Sequence, residues 1–399
     1  MFEHIDAYPG DPILSLNENF AKDPRTDKVN LSIGIYYDDD GRLPVMQAVR
    51  QAEALLLAEV GPKPYLPMAG FAGYRDVVQA LVFGEDSPAR KAGSIATVQT
   101  LGGSGALKVG ADFIKRYFPG SQVWVSDPTW DNHRFIFERA GFTVNTYPYY
   151  DEATGGLQFE AMVDAIDKLP ARSVVLLHAC CHNPTGVDLN DAQWVQLIDV
   201  LKKRELLPFV DMAYQGFGSG IDADAFVIRE LARQSVPAFV ANSFSKNFSL
   251  YGERCGGLSV ICESAEAADR VLGQLTSAVR SNYSNPPTHG AKIVAKVLST
   301  PELRKSWEAE LAEMCQRITR MRGAIHEGLR GHVPDNMLSR YLEQRGMFTY
   351  TGLSAAQVDV LRDQYGVYLI RSGRMCVAGL NEKNVGVVAD SIAKVLNNG

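Results

Sequence analysis

The pattern of apolar and polar positions changes character along this chain. Between about residues 95 and 245, short unbroken apolar runs alternate with longer stretches of helical spacing. Continuous apolar runs read as strands covered on both faces, and apolar residues every three or four positions read as amphipathic helices. The pattern predicts strands over Ile95–Thr100, Gln122–Ser126, Ser173–His178, Leu207–Val210 and Ala238–Asn242. Helices are expected over Ala106–Tyr117, His133–Ala140, Asp191–Arg204 and Asp224–Arg233. Buried strands separated by helices imply an α/β architecture, a doubly wound and mostly parallel sheet. Past residue 300 the pattern differs. Pro301 to about Leu329 reads as one long helix, with Leu303, Trp307, Leu311, Met314, Ile318 and Met321 near helical spacing. Short strands (Met347–Tyr350, Val367–Ile370, Arg374–Ala378) and a helix from Glu382 follow. A smaller α+β domain starting near residue 313 is expected, with the segment around Asn30–Val45 a candidate to join it.

Length and charge narrow the function classes. At 399 residues the chain is too long for one simple core and suits two domains. It is 46% apolar and 22% charged, ordinary for a globular protein. A net charge of -6 argues against general affinity for nucleic acid or an anionic membrane, leaving room for a local basic pocket. The six cysteines show neither CxxC pairs nor zinc-ligand spacing, so no metal site is expected, and the adjacent Cys180 and Cys181 read as buried thiols. The N-terminus MFEHIDAYPGDP lacks the basic and apolar regions of a signal peptide. Apolar runs such as Val174–Leu177 are too short to span a bilayer. A cytoplasmic location is the expectation.

Ligands of a parallel sheet gather at the carboxyl ends of its strands, so the residues after each strand test function. After the first comes LGGSGALK, where Gly102, Gly103 and Ser104 could present N–H groups and a hydroxyl to an anion. The same turn could serve only tight helix–sheet packing. After the second, DPTWDNH puts Trp130 at a strand end, as a stacking surface or as a half-buried aromatic. CCHNPTG follows the third; Asn183 offers an amide to a ligand, although the turn itself is common. Asp211 directly follows the fourth, where an unpaired carboxylate would be costly and no basic residue is near in sequence. An N-cap or a structural ion pair is the alternative there. SFSKNFSLYGER follows the fifth, with Ser243, Ser245, Lys246 and Arg254. A lone lysine is ordinarily a solvated surface group. Burial and a nearby cation would instead favour the neutral amine that attacks a carbonyl. An anion cradle, a flat aromatic, an amide, a carboxylate and a Lys–Arg pair together suit a phosphorylated aromatic aldehyde: phosphate at the helix N-terminus, Ser243 and Arg254, ring on Trp130, ring nitrogen at Asp211, aldehyde on Lys246.

At NPTG, DMAYQGF and SFSKNFSLYGER the chain resembles the class I aminotransferases of the aspartate/aromatic group, which have the fold-type-I pyridoxal-phosphate architecture. The similarity runs end to end, from GDPILSL near Asp11 to SGRMCVAGL ending at Leu380. LSIGIYYDDDG, QTLGGSGALKVGADF, GERCGGLSV and RGMFTYTGLSAAQVD resemble the bacterial aromatic-amino-acid branch. Cys376 fits that branch too, whereas Asn285 in SNPP is a feature of the aspartate branch.

The resemblance implies pyridoxal 5'-phosphate as cofactor and a ping-pong transfer of the amino group of tyrosine or phenylalanine, and also of aspartate, to 2-oxoglutarate. It implies Lys246 as the Schiff-base lysine and the base and acid of proton transfer, and Asp211 as the group that keeps the ring nitrogen protonated. Tyr214 and Asn183 would hydrogen-bond the ring oxygen. Gly103, Ser104, Ser243 and Arg254 would bind phosphate, and Trp130 would stack on the ring and border the substrate. Arg374 would clamp the substrate α-carboxylate, a task for a planar guanidinium, helped by Gly34 and Asn183. Ile35, Tyr37 and Leu43, with Pro64 and Ser104, would line the side-chain pocket. The resemblance also implies a homodimer with shared sites, in which Tyr65 reaches the neighbouring phosphate and Arg280 the distal end of the neighbouring substrate. Its domains would be an N-terminal arm (1–11), a small domain (12–43 plus 313–399) that closes over the substrate, and a large cofactor domain (44–312). Competing readings are a dedicated aspartate aminotransferase, β-elimination or decarboxylation on the same cofactor, and a non-catalytic pyridoxal-phosphate sensor. The arginine pair for two carboxylates favours amino transfer, and the acidic chain leaves no segment for DNA binding.

Overall fold

A computed structural model describes residues 1–7, 10, 12–59 and 61–397. Positions 8, 9 and 11 of the expected N-terminal arm lie outside the described residues. The chain divides into two compact units, one of residues 44–151 and 156–316, the other of residues 1–43, 152–155 and 317–399. The division between Gln316 and Arg317 falls inside the single helix Pro301–Leu329.

The larger unit is built on a seven-stranded sheet. In chain order its strands are β1 (Ile95–Leu101), β2 (Val123–Asp127), β3 (Val144–Pro148), β4 (Val174–His178), β5 (Leu207–Met212), β6 (Ala238–Ser243) and β7 (Cys255–Ile261). They lie in the order β1-β7-β6-β5-β4-β2-β3. Every pairing is parallel except those of β7, which runs antiparallel to both β1 and β6. β4, β6 and β7 are buried along their whole length, because helices cover both faces of the sheet. Leu258 of β7 packs in one core cluster with Leu107 and Ile114 of helix α1 (Gly102–Tyr117). On the adjacent Gly257, a Cβ would lie 3.4 Å from Val78 of helix Ala72–Phe83. Successive strand residues point to opposite faces, so these two helices sandwich the sheet.

Two strands escape the sequence pattern. β3 reads VNTYP, an edge strand that is only partly buried over its first three residues and ends on proline, so no continuous apolar run announces it. β7 opens on Cys-Gly-Gly, residues of low strand preference, and owes its place to pairing on both sides. Other boundaries also shift. α1 starts at Gly102, four residues before the expected Ala106, so the glycine turn is itself the first helical turn. β5 extends to Met212, which places Asp211 within the sheet instead of just past its end. Asp224 lies in a short 3-10 turn, and the helix after it begins at Phe226.

In the smaller unit, Val29–Asn30 pairs in parallel with Val367–Tyr368, and Arg374–Cys376 pairs antiparallel with Phe348–Tyr350. Helix Ala355–Tyr365 starts with a reciprocal Ser354–Gln357 capping box and stops at Gly366 in the left-handed region. The last helix runs Val385–Asn397, three residues later than expected from Glu382. Residues 152–155 join this unit through the buried Arg340, whose Nη2 donates to Glu152 O at 2.6 Å. Among the described residues no helix is long and apolar enough to cross a membrane. All six cysteines are free, Cys180 and Cys181 buried as the sequence suggests.

Candidate active site

The five strand ends singled out by the sequence lie at the carboxyl end of the large sheet. Gly102 takes φ +65°, and a Cβ there would lie 2.6 Å from Arg254 Nη2. Only glycine accepts that backbone without strain and lets the guanidinium close on the first turn of α1. Gly102 N–H donates to Arg254 O at 2.9 Å, tying β1 to the start of β7. A Cβ on Gly103 would be 3.4 Å from that of Ser243, and the Ser243 hydroxyl donates to Ser245 Oγ at 3.1 Å. Arg254 Nη1 donates to Tyr251 O (2.8 Å) and to Ser245 Oγ (3.4 Å). The unsatisfied N–H groups of a helix start, two hydroxyls and a guanidinium thus converge, a ready site for a dianionic phosphate.

Asp211 is buried, and its partner is His133, which the sequence reading did not single out. His133 Nε2 lies 3.0 Å from Asp211 Oδ2; a carboxylate only accepts, so Nε2 carries the proton. His133 Nδ1 lies 2.9 Å from Thr129 Oγ1, which fixes the ring from its other side. Burial acts to raise the Asp211 carboxyl, but the His133 hydrogen bond and charge outweigh it and hold the pKa below the usual carboxylate range. Asp211 Oδ1 is buried without a hydrogen-bond partner in the protein. His178, packed edge-on against His133, is pushed down to about 3 by burial and stays neutral. His182 is held neutral the same way and is stacked under Tyr149 at 4.1 Å. The spacing of His133 in DNHRF carried one usable signal: its i+3 position from Trp130 on a helix that starts at a strand end.

Lys246 stands on a turn clamped from several sides. Trp307 Nε1–H donates to Asn247 O at 2.7 Å while its ring stacks on Phe248 at 4.8 Å. Asn247 Nδ2 donates to Gln215 O at 3.2 Å, and Phe244 N–H to Cys255 O at 3.0 Å. Lys246 Nζ sits 4.8 Å from the centre of the Tyr214 ring. The turn after Tyr214 is shaped by Asp224, whose carboxylate accepts from the N–H groups of Gly216, Gly218 and Ser219 at 2.7–2.9 Å. Asn183 is buried, its N–H donating to His178 Nδ1 at 3.3 Å. The ring of Trp130 meets His133 edge-on at 5.2 Å.

The remaining candidates have surroundings of their own. Tyr65 is 90% exposed on the larger unit. Arg280, in the last turn of helix Ala265–Tyr283, is exposed and donates to Ser284 Oγ. In the smaller unit, Arg374 is buried, donates through Nη2 to Ser32 O at 2.7 Å and lies over the Phe348 ring at 4.4 Å. A Cβ on Gly34 would lie 2.8 Å from Phe348 Cζ, so glycine leaves room for that ring. Ile35 and Tyr37 are half-buried nearby in the chain and Leu43 is exposed.

The chain is similar to known proteins over its whole length. Residues 26–392 match the family model of the class I and II aminotransferases. The chain is 60% identical over 397 residues to the aromatic-amino-acid aminotransferase of Escherichia coli (strain K12), covering 99% of this chain and 100% of that one. Its fold superposes with a TM-score of 0.97 on an aromatic amino acid aminotransferase from Burkholderia cenocepacia J2315, at 75% identity and full coverage of both chains. The same score, at 52% identity and 99% of each chain, relates it to the aromatic-amino-acid aminotransferase of Burkholderia pseudomallei covalently bound to pyridoxal phosphate. The chain belongs to the class I and II aminotransferase family.

Proposed function

We propose that this chain is a pyridoxal-phosphate-dependent aminotransferase that moves amino groups between aromatic amino acids and 2-oxo acids, and also accepts dicarboxylic ones. One observation carries the reading: the buried Asp211, with Oδ1 free, stands at the same end of the sheet as Lys246 and an anion cradle. Pyridoxal phosphate supplies an aldehyde that condenses with amines and a protonated ring that draws electrons from the substrate Cα. The residues fit it. Asp211 Oδ1 is the acceptor such a ring N–H requires, and the start of α1 with Ser104, Ser243 and Arg254 suits its phosphate.

The chain's own residues then divide the work. Asp211, kept ionised by His133, holds the proton on the ring nitrogen. Lys246 Nζ would hold the aldehyde, and as an amine would take the proton from the substrate Cα and return it. Tyr214 and Asn183 hydrogen-bond the ring oxygen and Trp130 covers the ring. Arg374 holds the substrate α-carboxylate, with Gly34 and Asn183 beside it. Ile35, Tyr37 and Leu43 line the pocket for the substrate side chain. Tyr65 and Arg280 act in the site of a second copy, on the phosphate and on a distal carboxylate; their exposure, with that of Leu55, Leu57 and Met68, supports such a homodimer.

An amino-donor panel with 2-oxoglutarate as acceptor tests this reading on the wild type; Arg280→Leu is tested by single-turnover amino transfer from each donor to the bound cofactor, because 2-oxoglutarate itself carries a distal carboxylate. A buried aromatic ring contributes roughly 2–3 kcal/mol, whereas the distal carboxylate depends on the guanidinium. Arg280→Leu should therefore lose aspartate by orders of magnitude and keep phenylalanine and tyrosine. Equal loss of both classes, or a wild type inert toward aromatic donors, would overturn the assignment.

A further inference from the structure

Arg317 has no part in the functions above, yet it is one of the most completely engaged arginines of the smaller unit. It is buried to 3% exposure. Its Nε donates to Asp39 Oδ1 at 2.7 Å, Nη2 to Leu380 O at 2.6 Å and Nη1 to Ala378 O at 3.5 Å. The guanidinium also lies 5.4 Å from the centre of the Tyr36 ring. One planar cation thus joins two segments, the irregular stretch carrying Tyr36 and Asp39 and the turn Ala378–Leu380 that follows the strand of Arg374.

The irregular stretch matters because residues 31–43 have no strand or helix of their own to hold them. Their backbone is tied instead by isolated bonds to the Arg374–Leu380 region. Cys376 N–H donates to Leu31 O (2.8 Å) and Tyr37 N–H to Ala378 O (3.3 Å). Ala378 O therefore accepts both from Tyr37 and from Arg317. Lys383 adds an exposed ion pair to Asp40. Arg374 is anchored separately, through Ser32 O and the Phe348 ring, and does not depend on Arg317.

We infer that Arg317 is a positioning residue for substrate side-chain selectivity: it latches the 36–39 stretch to Ala378 and Leu380, and so sets the pocket wall formed by Ile35 and Tyr37. The inference rests on the proposed role of those two residues. A buried guanidinium that bonds two carbonyls and one carboxylate defines both distance and plane between the segments. Without it, Tyr37 keeps one long backbone bond, and the wall loses its register while the Arg374 grip stays.

Steady-state kinetics of the holoenzyme with phenylalanine and with alanine separate the two effects, since a methyl side chain reads only the carboxylate grip. Arg317→Gln should raise KM for phenylalanine about tenfold, with kcat and the alanine kcat/KM within about threefold of wild type. Arg317→Lys, which keeps the charge and loses the fork, should restore part of the phenylalanine KM. Should Arg317→Gln fail to fold, Asp39→Asn gives the same test, with a shift of about twofold to threefold in the same direction, because Asp39 is 58% exposed on its side chain. Equal losses for both donors, or an unchanged phenylalanine-to-alanine ratio in these variants, would overturn the latch. Tyr37→Ala and Ile35→Ala serve as references. If they alter the ratio and Arg317→Gln does not, only the latch fails; if neither alters it, the pocket reading fails and the latch with it.

Discussion

Two opposing forces meet on the carboxyl of Asp211: burial pushes its pKa up, and the His133 hydrogen bond and charge bring it below the usual range. A carboxyl with a depressed folded pKa contributes stability above its unfolded value and loses it as pH falls through the folded one. Wild-type enzyme should therefore keep an ionised Asp211 throughout the neutral and mildly acidic range. In His133→Ala burial remains and the hydrogen bond goes, so the carboxyl titrates higher. A hydrogen bond to a charged group contributes roughly 1.5–3 kcal/mol. The acid limb of kcat/KM should move to higher pH, and His133→Gln, which keeps a donor, should recover part of the change. Asp211→Ala removes the acceptor altogether and should cost a hundredfold or more in kcat. An acid limb that stays in place in His133→Ala would show that His133 does not govern the carboxyl.

Helix α1 reaches the phosphate cradle with its first residue, and the fit depends on Gly102. Alanine there faces φ +65° and a contact of 2.6 Å with Arg254 Nη2. The backbone cost is of order 1–3 kcal/mol, and the guanidinium, being the end of a flexible side chain, is the part that gives way. Gly102→Ala should thus weaken cofactor binding by about tenfold or more in a pyridoxal-phosphate titration of apoenzyme, and lower Tm. Gly273 offers the control, because it lies inside helix Ala265–Tyr283 with nothing within 4 Å of an added Cβ. Gly273→Ala should leave cofactor affinity unchanged and raise stability by up to about 1 kcal/mol. Equal affinities for the two variants would remove Gly102 from the cradle. Elements were legible in proportion to how local their cause was. Pro301–Leu329 shows its helical spacing throughout, whereas β7 opens on Cys-Gly-Gly and exists because β1 and β6 flank it.

The whole-molecule prediction concerns shared sites. Lys246→Ala removes the proposed nucleophile, and a Tyr65→Phe Arg280→Ala double variant removes what a second copy is proposed to lend. Mixed one to one with free exchange and assayed with aspartate, the donor that needs Arg280, half the dimers are heterodimers with one intact site each, so about a quarter of native activity should return. No return of activity, with exchange verified by mass spectrometry, would show that each chain builds its site alone.

The proposed chemical cast of this protein was readable from sequence alone. Gly103, Ser104, Trp130, Asn183, Asp211, Ser243, Lys246 and Arg254 each follow a buried strand or open the next element, and that ordering is a one-dimensional fact. The α/β class and the long helix were equally local, since both express hydrophobic period. Tertiary structure decided the relationships between distant segments. His133 reaches Asp211 across 78 positions, Trp307 clamps Asn247 across 60, and Arg317 ties Asp39 across 278. Hydrogen bonds and ion pairs act over about 3 Å in space with no periodic trace along the chain, so the partner of a buried charge appears only once the sheet has brought it close.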